Sequence, residues 1–188
     1  MKKLFIIFLV FTAFVEISFP ISGSESLKTQ YLLLLKILTY DKKFLNKVSD
    51  KVTIGIVFQS NYKTSDVSKD VLISAFEESE LKVENRRVNY ILMDLSLKGE
   101  LEYYGKNSTP DVLFVLPLKD INFSSIIAYS WKYKIMTFTS VPAYMNEGIS
   151  TCVNMNGERP VILINRLSAR NEGVDFSSQL LKVARIIE

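Results

Sequence analysis

The chain has 188 residues, no histidine, one cysteine and a formal net charge of +3 at pH 7. Without histidine there is no Ser-His-Asp or Cys-His catalytic arrangement and no His-bearing zinc site. The lone Cys152 excludes an internal disulfide, and the near-neutral charge gives no footing for nucleic acid.

Met1-Lys2-Lys3 precedes an uncharged run from Leu4 to Val15, and Ser22-Gly23-Ser24 offers small residues before a cleavage point. This is the layout of a secretory signal peptide over residues 1–24, with cleavage near Ser24. The run is short of the ~20 residues that a spanning helix needs. The expected location is therefore the periplasm, or outside the cell. Residues 25–188 suit one domain with a sizeable core.

Leu27 to Leu38 reads as a helix whose apolar surface is too wide for a solvated element. Lys51 to Gln59 is a buried strand by its Val and Ile content. Ser65 or Asp66 starts a helix to about Glu80, with Val67, Val71, Ala75 and Phe76 inward. Val83 to Met93 is the next strand, with Arg86-Arg87 a solvated end. Leu95 to Tyr104 is a short amphipathic helix, and Asn107 to Pro110 a loop. Asp111 to Leu116 is a third strand, Phe123 to Tyr133 a helix carrying the only tryptophan, and Lys134 to Phe138 a fourth strand.

Ile149 to Met155 can form a strand, and Asn156-Gly157 is the dipeptide that favours a type I′ hairpin turn. Pro160 to Ile164 is the return strand. Asn165 is a good N-cap for a short helix ending at Gly173, where glycine tolerates a left-handed φ. Asp175 or Ser177 caps a final helix, with Phe176, Leu180, Leu181, Ala184 and Ile187 on one stripe. Cys152, between Thr151 and Val153 on a strand, reads as buried.

Strands alternate with helices through the middle of the chain, and near-continuous apolar strands imply a mostly parallel sheet covered on both faces. The final hairpin makes the sheet mixed. The fold reading is a single three-layer α/β/α domain, with a C-terminal hairpin plus helix.

In open α/β sheets, ligands sit beyond the carboxyl ends of the parallel strands. Three loops qualify. The first holds Gln59, Ser60, Asn61 and Tyr62; the second Pro117, Leu118 and Lys119; the third Thr139, Ser140, Val141, Pro142 and Tyr144. They could offer hydroxyl, amide or ammonium donors to a small polar ligand or a protein partner, with Tyr62 and Tyr144 as stacking surfaces. The competing use of such Ser and Thr residues is to cap the following helices. No glycine-rich phosphate cradle follows the first strand. Glu77-Glu78 and the pair Glu100 and Glu102 read as solvated helix faces, and nothing selects a Ser60–Lys63 dyad over chance. No catalytic residue, metal site or cofactor is assigned.

Several strings resemble the C-terminal half of the YfiR-like proteins, a bacterial family of exported proteins. They are Thr137-Phe138-Thr139, Val141-Pro142-Ala143-Tyr144, Gly148, Pro160 to Asn165, Ala169-Arg170, Gly173, and Phe176-Ser177-Ser178-Gln179-Leu180-Leu181. Leu32 to Asp41 is similar to the family's N-terminal helix. The resemblance runs from about Thr29 to the end. It implies a non-enzymatic regulator, because the best-known relatives are periplasmic repressors that bind the periplasmic domain of a membrane-bound diguanylate cyclase. Two features depart from those relatives: their disulfide-forming cysteine pairs are missing, and Lys42 stands where an arginine is usual. That places the chain nearer a stand-alone branch.

The expected partner is the extracytoplasmic domain of a membrane signalling protein. The alternative is a periplasmic small-molecule binder, whose pocket in one domain would be shallow or shared. Pairing through Cys152 leaves a homodimer open.

Overall fold

The run Lys51–Phe58 (β1) lays down the centre of the sheet. Its alternate side chains go to opposite faces. Val52, Ile54, Ile56 and Phe58 enter one apolar cluster, and Val57 enters the other. The computed structural model describes residues 23–78, 82–97 and 100–187. The leader reading of residues 1–24 lies outside these, except for Gly23 and Ser24.

Helix α1 (Gly23–Leu38) is followed by a single turn, α2 (Phe44–Lys47), that the sequence reading missed. After β1 come α3 (Lys63–Glu77), β2 (Lys82–Val83), β3 (Arg86–Asp94) and α4 (Glu100–Asn107). Then follow β4 (Val112–Val115), α5 (Phe123–Tyr133), β5 (Met136–Thr139), a 3-10 turn at Pro142–Met145 and β6 (Thr151–Asn156). The chain closes with β7 (Arg159–Asn165), α6 (Arg166–Asn171), α7 (Ser178–Val183) and β8 (Arg185–Ile187).

The eight strands form one sheet in the order β2-β3-β1-β4-β5-β6-β7-β8. From β3 through β6 every pairing is parallel, β2–β3 and β6–β7 are antiparallel, and β7–β8 is parallel. One face carries α1 and α3, through Tyr31, Leu34, Leu38 and Leu72, and the other carries α4 and α5, through Leu101, Ile126 and Ile127. The mixed, mostly parallel three-layer α/β/α reading describes this molecule.

Local signals account for several boundaries. Asn122 caps α5, its side chain accepting from the Ser124 N–H, and Lys134 ends that helix in the left-handed region at φ 56°. Asn165 caps α6 by accepting from the Ser168 N–H. Gly173, at φ 77°, donates to the Arg170 carbonyl while Val174 donates to Ala169. Those two bonds make the paired helix stop that favours glycine.

Six expectations need correction. The hairpin turn is centred on Gly157-Glu158, because Asn156 is still paired with Arg159. Gly157 has φ 60° while Glu158 does not have positive φ. That is the pattern of a type II′ turn, with glycine first, in place of type I′. The final helix ends at Val183, and Arg185–Ile187 turns back as a strand beside β7. Val67 is 52% exposed; of the other residues read as inward on α3, Ala75 is buried and Val71 and Phe76 pack half-buried against the core, with Ser65 and Leu72 buried beside them. The helix itself starts at Lys63, with no side-chain cap. The strand read from Val83 is broken at Glu84-Asn85 into a short hairpin, and the helix read from Leu95 begins at Glu100.

Candidate functional site

Because β1, β3, β4 and β5 are parallel, their carboxyl ends open on one edge. The three expected loops meet there, joined by a fourth, Asp94 to Ser96, after β3. Their polar groups bind one another.

Gln59 makes the central link. Its side-chain amide donates to the Lys119 carbonyl (3.1 Å) and its oxygen accepts from the Lys119 N–H (2.6 Å). The residue is buried, and its own N–H donates to the hydroxyl of fully buried Ser65 (2.9 Å). Asp94 collects the next loop: its carboxylate accepts from the Ser60 N–H (3.1 Å) and the Ser96 N–H (2.9 Å). Burial works to raise the Asp94 pKa. The hydroxyl and backbone donors of Ser60 and Ser96 outweigh it and hold the carboxyl below its ordinary range. Asn61 and Ser96 are linked twice. The Asn61 N–H donates to the Ser96 hydroxyl (3.3 Å), which donates back to the Asn61 side-chain oxygen (2.9 Å). Ser60 thus turns to Asp94 and forms no dyad with Lys63.

Tyr144 closes the other side. Its hydroxyl accepts from the Leu118 N–H (2.7 Å) and donates to the Leu118 carbonyl (3.0 Å), and its ring lies 4.5 Å from that of Phe123. Burial, with a smaller contribution from Tyr62, pushes the Tyr144 phenol up. Thr139 is fully buried; its hydroxyl donates to the Val115 carbonyl (2.8 Å) and accepts from the Val141 N–H (3.1 Å). Ser140, Val141, Pro117 and Tyr62 are half-buried. Ser60, Asn61, Pro142 and the Lys119 side chain face outward.

The edge is therefore a closed hydrogen-bonded surface, and its exposed features are short polar tips, Pro142 and one ammonium. Cavities of about 440, 340 and 230 Å³ lie elsewhere, against α4–α5, α6–α7 and the opposite end of the sheet. Among the described residues, no group of three acidic or cysteine side chains is arranged to hold a metal, and no helix is long and apolar enough to cross a membrane. Glu77 and Glu78 are exposed, and Glu78 pairs with Lys28. Arg86 is not a solvated end. Its guanidinium donates to the Ser49 and Leu45 carbonyls and fastens the α2 segment, while Arg87 is exposed.

A group that the sequence reading passed over is the fully buried Glu172. Its carboxyl accepts from the Thr137 hydroxyl (2.6 Å), the Thr137 N–H (3.0 Å) and the Ser130 hydroxyl (3.3 Å). Burial pushes its pKa up to about 8 against the pull of these donors. The signal was its place directly before left-handed Gly173. There, at a helix C-terminus, an acid is disfavoured by the dipole and needs another reason to be present.

A family model described as YfiR/HmsC-like matches residues 66–185. Comparison with curated protein sequences gives no match. Several solved structures share the fold. An ABC domain in complex with L-Trp from Streptococcus pneumoniae has a TM-score of 0.58 at 13% identity, covering 86% of this chain and 60% of its own. A conserved domain protein from Vibrio cholerae has a TM-score of 0.59 at 12% identity, with the same coverage. A substrate-binding protein with adhesive properties from Clostridium difficile, in its ligand-free, open form, has a TM-score of 0.60 at 15% identity, covering 84% of this chain and 58% of its own. The chain thus spans about 60% of the length of these structures.

Proposed function

The chain belongs to the YfiR/HmsC-like family, and from that premise we propose that it is an exported, non-enzymatic regulator. It would bind the extracytoplasmic part of a membrane signalling protein, such as a diguanylate cyclase or a sensor kinase. One observation carries this reading: the loops at the carboxyl edge of the sheet are locked to one another through Gln59–Lys119, Asp94–Ser60 and Tyr144–Leu118. Loops already bonded to one another reorganise little around a small polar solute at that edge. It favours recognition by shape, in the manner of preorganised interfaces that move little on binding. Ser60, Asn61, Tyr62, Lys119 and Pro142 would make the contact.

The test is recovery of partners from membrane extracts with purified residues 25–188. A membrane sensor is expected in the eluate, and Asn61→Arg together with Pro142→Arg should abolish its recovery in a protein that still folds. An eluate without any membrane signalling protein, or recovery untouched by the double variant, refutes the assignment.

The second reading, a small-molecule binder, draws support from the solved structures, two of which are a domain in complex with L-Trp and a substrate-binding protein. A ligand raises thermal stability by RT ln(1 + [L]/Kd), so a metabolite screen by thermal shift separates the two readings.

A further inference from the structure

Glu172 is fully buried, and the elements packed around it supply no cation. Ser130 on α5, Thr137 on β5 and Ser150 before β6 face it with hydroxyls and the Thr137 N–H. A carboxylate held there without a counter-ion carries a large desolvation cost, and the donors offset only part of it. The enclosure therefore suits the neutral acid. Because the side chain is sealed, its proton leaves only when the side chain itself reaches water.

Two ammonium groups stand just outside. Lys134 Nζ donates to the Asn171 carbonyl (2.8 Å) and Lys47 Nζ to the Gly173 carbonyl (3.2 Å), the residues on either side of Glu172. Both lysines are exposed, and neither is in an ion pair among the described residues. A carbonyl oxygen lies ~3 Å from the next Cα, which puts Lys134 Nζ within about 6 Å of the Glu172 Cα. An outward-turned glutamate spans that gap. The other charges on this segment are Arg170, which is exposed, and Asp175, which pairs with Lys42. Gly173, at φ 77°, follows directly, and glycine crosses between backbone regions at little cost.

We propose that Glu172 is a proton-operated latch at the end of α6. Protonated, it sits inward on Thr137 and Ser130 and holds α6 to β5 and α5. When the proton passes to solvent, the carboxylate turns outward about Gly173 and pairs with Lys134 or Lys47. The segment from Gly173 to Phe176 then loosens from Asp41, which now accepts from the Asp175 N–H and bridges to Phe176. Burial pushes the carboxyl up to about 8, so the latch is shut at neutral pH and opens as the medium turns alkaline. The device stands independently of the partner-binding reading.

Trp131 is the only tryptophan and directly follows Ser130, so its emission reports on α5 beside the latch. The test records that emission, and amide exchange at Gly173, Val174 and Asp175, in residues 25–188 from about pH 6 to 9.5. Parent emission should pass through one transition near pH 8. One pH unit above it, exchange at these amides should exceed that of Glu172→Gln at the same pH by about ten-fold. Glu172→Gln, always neutral, should show no transition. Lys47→Gln with Lys134→Gln changes two exposed side chains and removes the outward partners. Its transition should move up by about half a pH unit, the worth of an exposed ion pair. This second variant decides the matter even where the glutamine variant fails to fold. The proposal is overturned if the parent shows no transition, if Glu172→Gln shows the same one, if emission changes without faster exchange, or if the lysine variant opens at the same or a lower pH.

Discussion

The Thr137 hydroxyl donates to the Glu172 carboxyl across 2.6 Å in the interior, tying the end of α6 to the middle of β5. The same hydroxyl accepts from the Ser150 N–H (2.8 Å), so the start of the final hairpin is registered against this point too. Ser130 on α5 completes the enclosure. The end of α5, β5, the residue before β6 and the end of α6 therefore meet at one acid.

The acid makes stability depend on pH. Its folded pKa of about 8 lies above its ordinary value of 4.5, so folding takes up a proton between those limits. The contribution is fully present below about pH 4.5 and is lost as pH rises toward 8, at up to about 1.4 kcal/mol per pH unit. Glu172→Gln is neutral throughout and should remove this decline. Urea-unfolding midpoints measured from pH 5 to 8.5 check it. A glutamine variant that weakens with pH as steeply as the parent would show that the carboxyl is ionised in the fold.

Gln59 should matter to the loop edge through its amide, and Lys119 only through its backbone. Gln59→Ala deletes both bonds to Lys119 and should cost about 1–3 kcal/mol, with faster amide exchange at Leu118 and Lys119. Lys119→Ala keeps those bonds and should stay within about 0.5 kcal/mol of the parent. Equal effects of the two substitutions would mean that the amide bridge is not formed in solution.

Much of the fold was legible because local and tertiary signals agree. Phe123–Tyr133 has its cap at Asn122 and its apolar stripe, and it is a helix with those bounds. The misreadings arise where two patterns share the same residues. Leu180, Leu181, Ala184 and Ile187 fit a helical stripe, yet Arg185–Ile187 gains ladder bonds from β7, a partner distant in sequence. Val67 and Leu72 both suit a helix interior, and only the face that α3 turns to its neighbours decides between them, burying Leu72 and leaving Val67 exposed. At the site, the strand order was enough to gather the loops on one edge. It could not show that Gln59 would meet Lys119, 60 positions away, because such pairing depends on the finished geometry.

The hairpin correction is open to mutation. Asn156 is a paired strand residue, so Asn156→Val should change stability by no more than about 0.5 kcal/mol. Gly157 sits at φ 60°, and Gly157→Val should cost more than about 1 kcal/mol, because a β-branched residue there is a steric outlier. A type I′ turn would require Asn156 at positive φ as well. Comparable losses for both variants in thermal unfolding would restore that assignment.

Cys152 is expected to be silent in the folded protein. It is fully buried on β6, beside Leu163 in the ladder, and burial pushes its thiol up to about 12. The thiolate, which is the reactive form, is therefore scarce near neutrality. A disulfide-forming reagent should leave the native protein untouched and titrate one thiol once urea unfolds it. Cys152→Ser buries a hydroxyl in an apolar cluster and should cost about 1–3 kcal/mol, yet partner recovery by the folded variant should match the parent. Stoichiometric labelling without denaturant, or a folded serine variant that no longer recovers the partner, would instead make the thiol part of the protein's signalling chemistry.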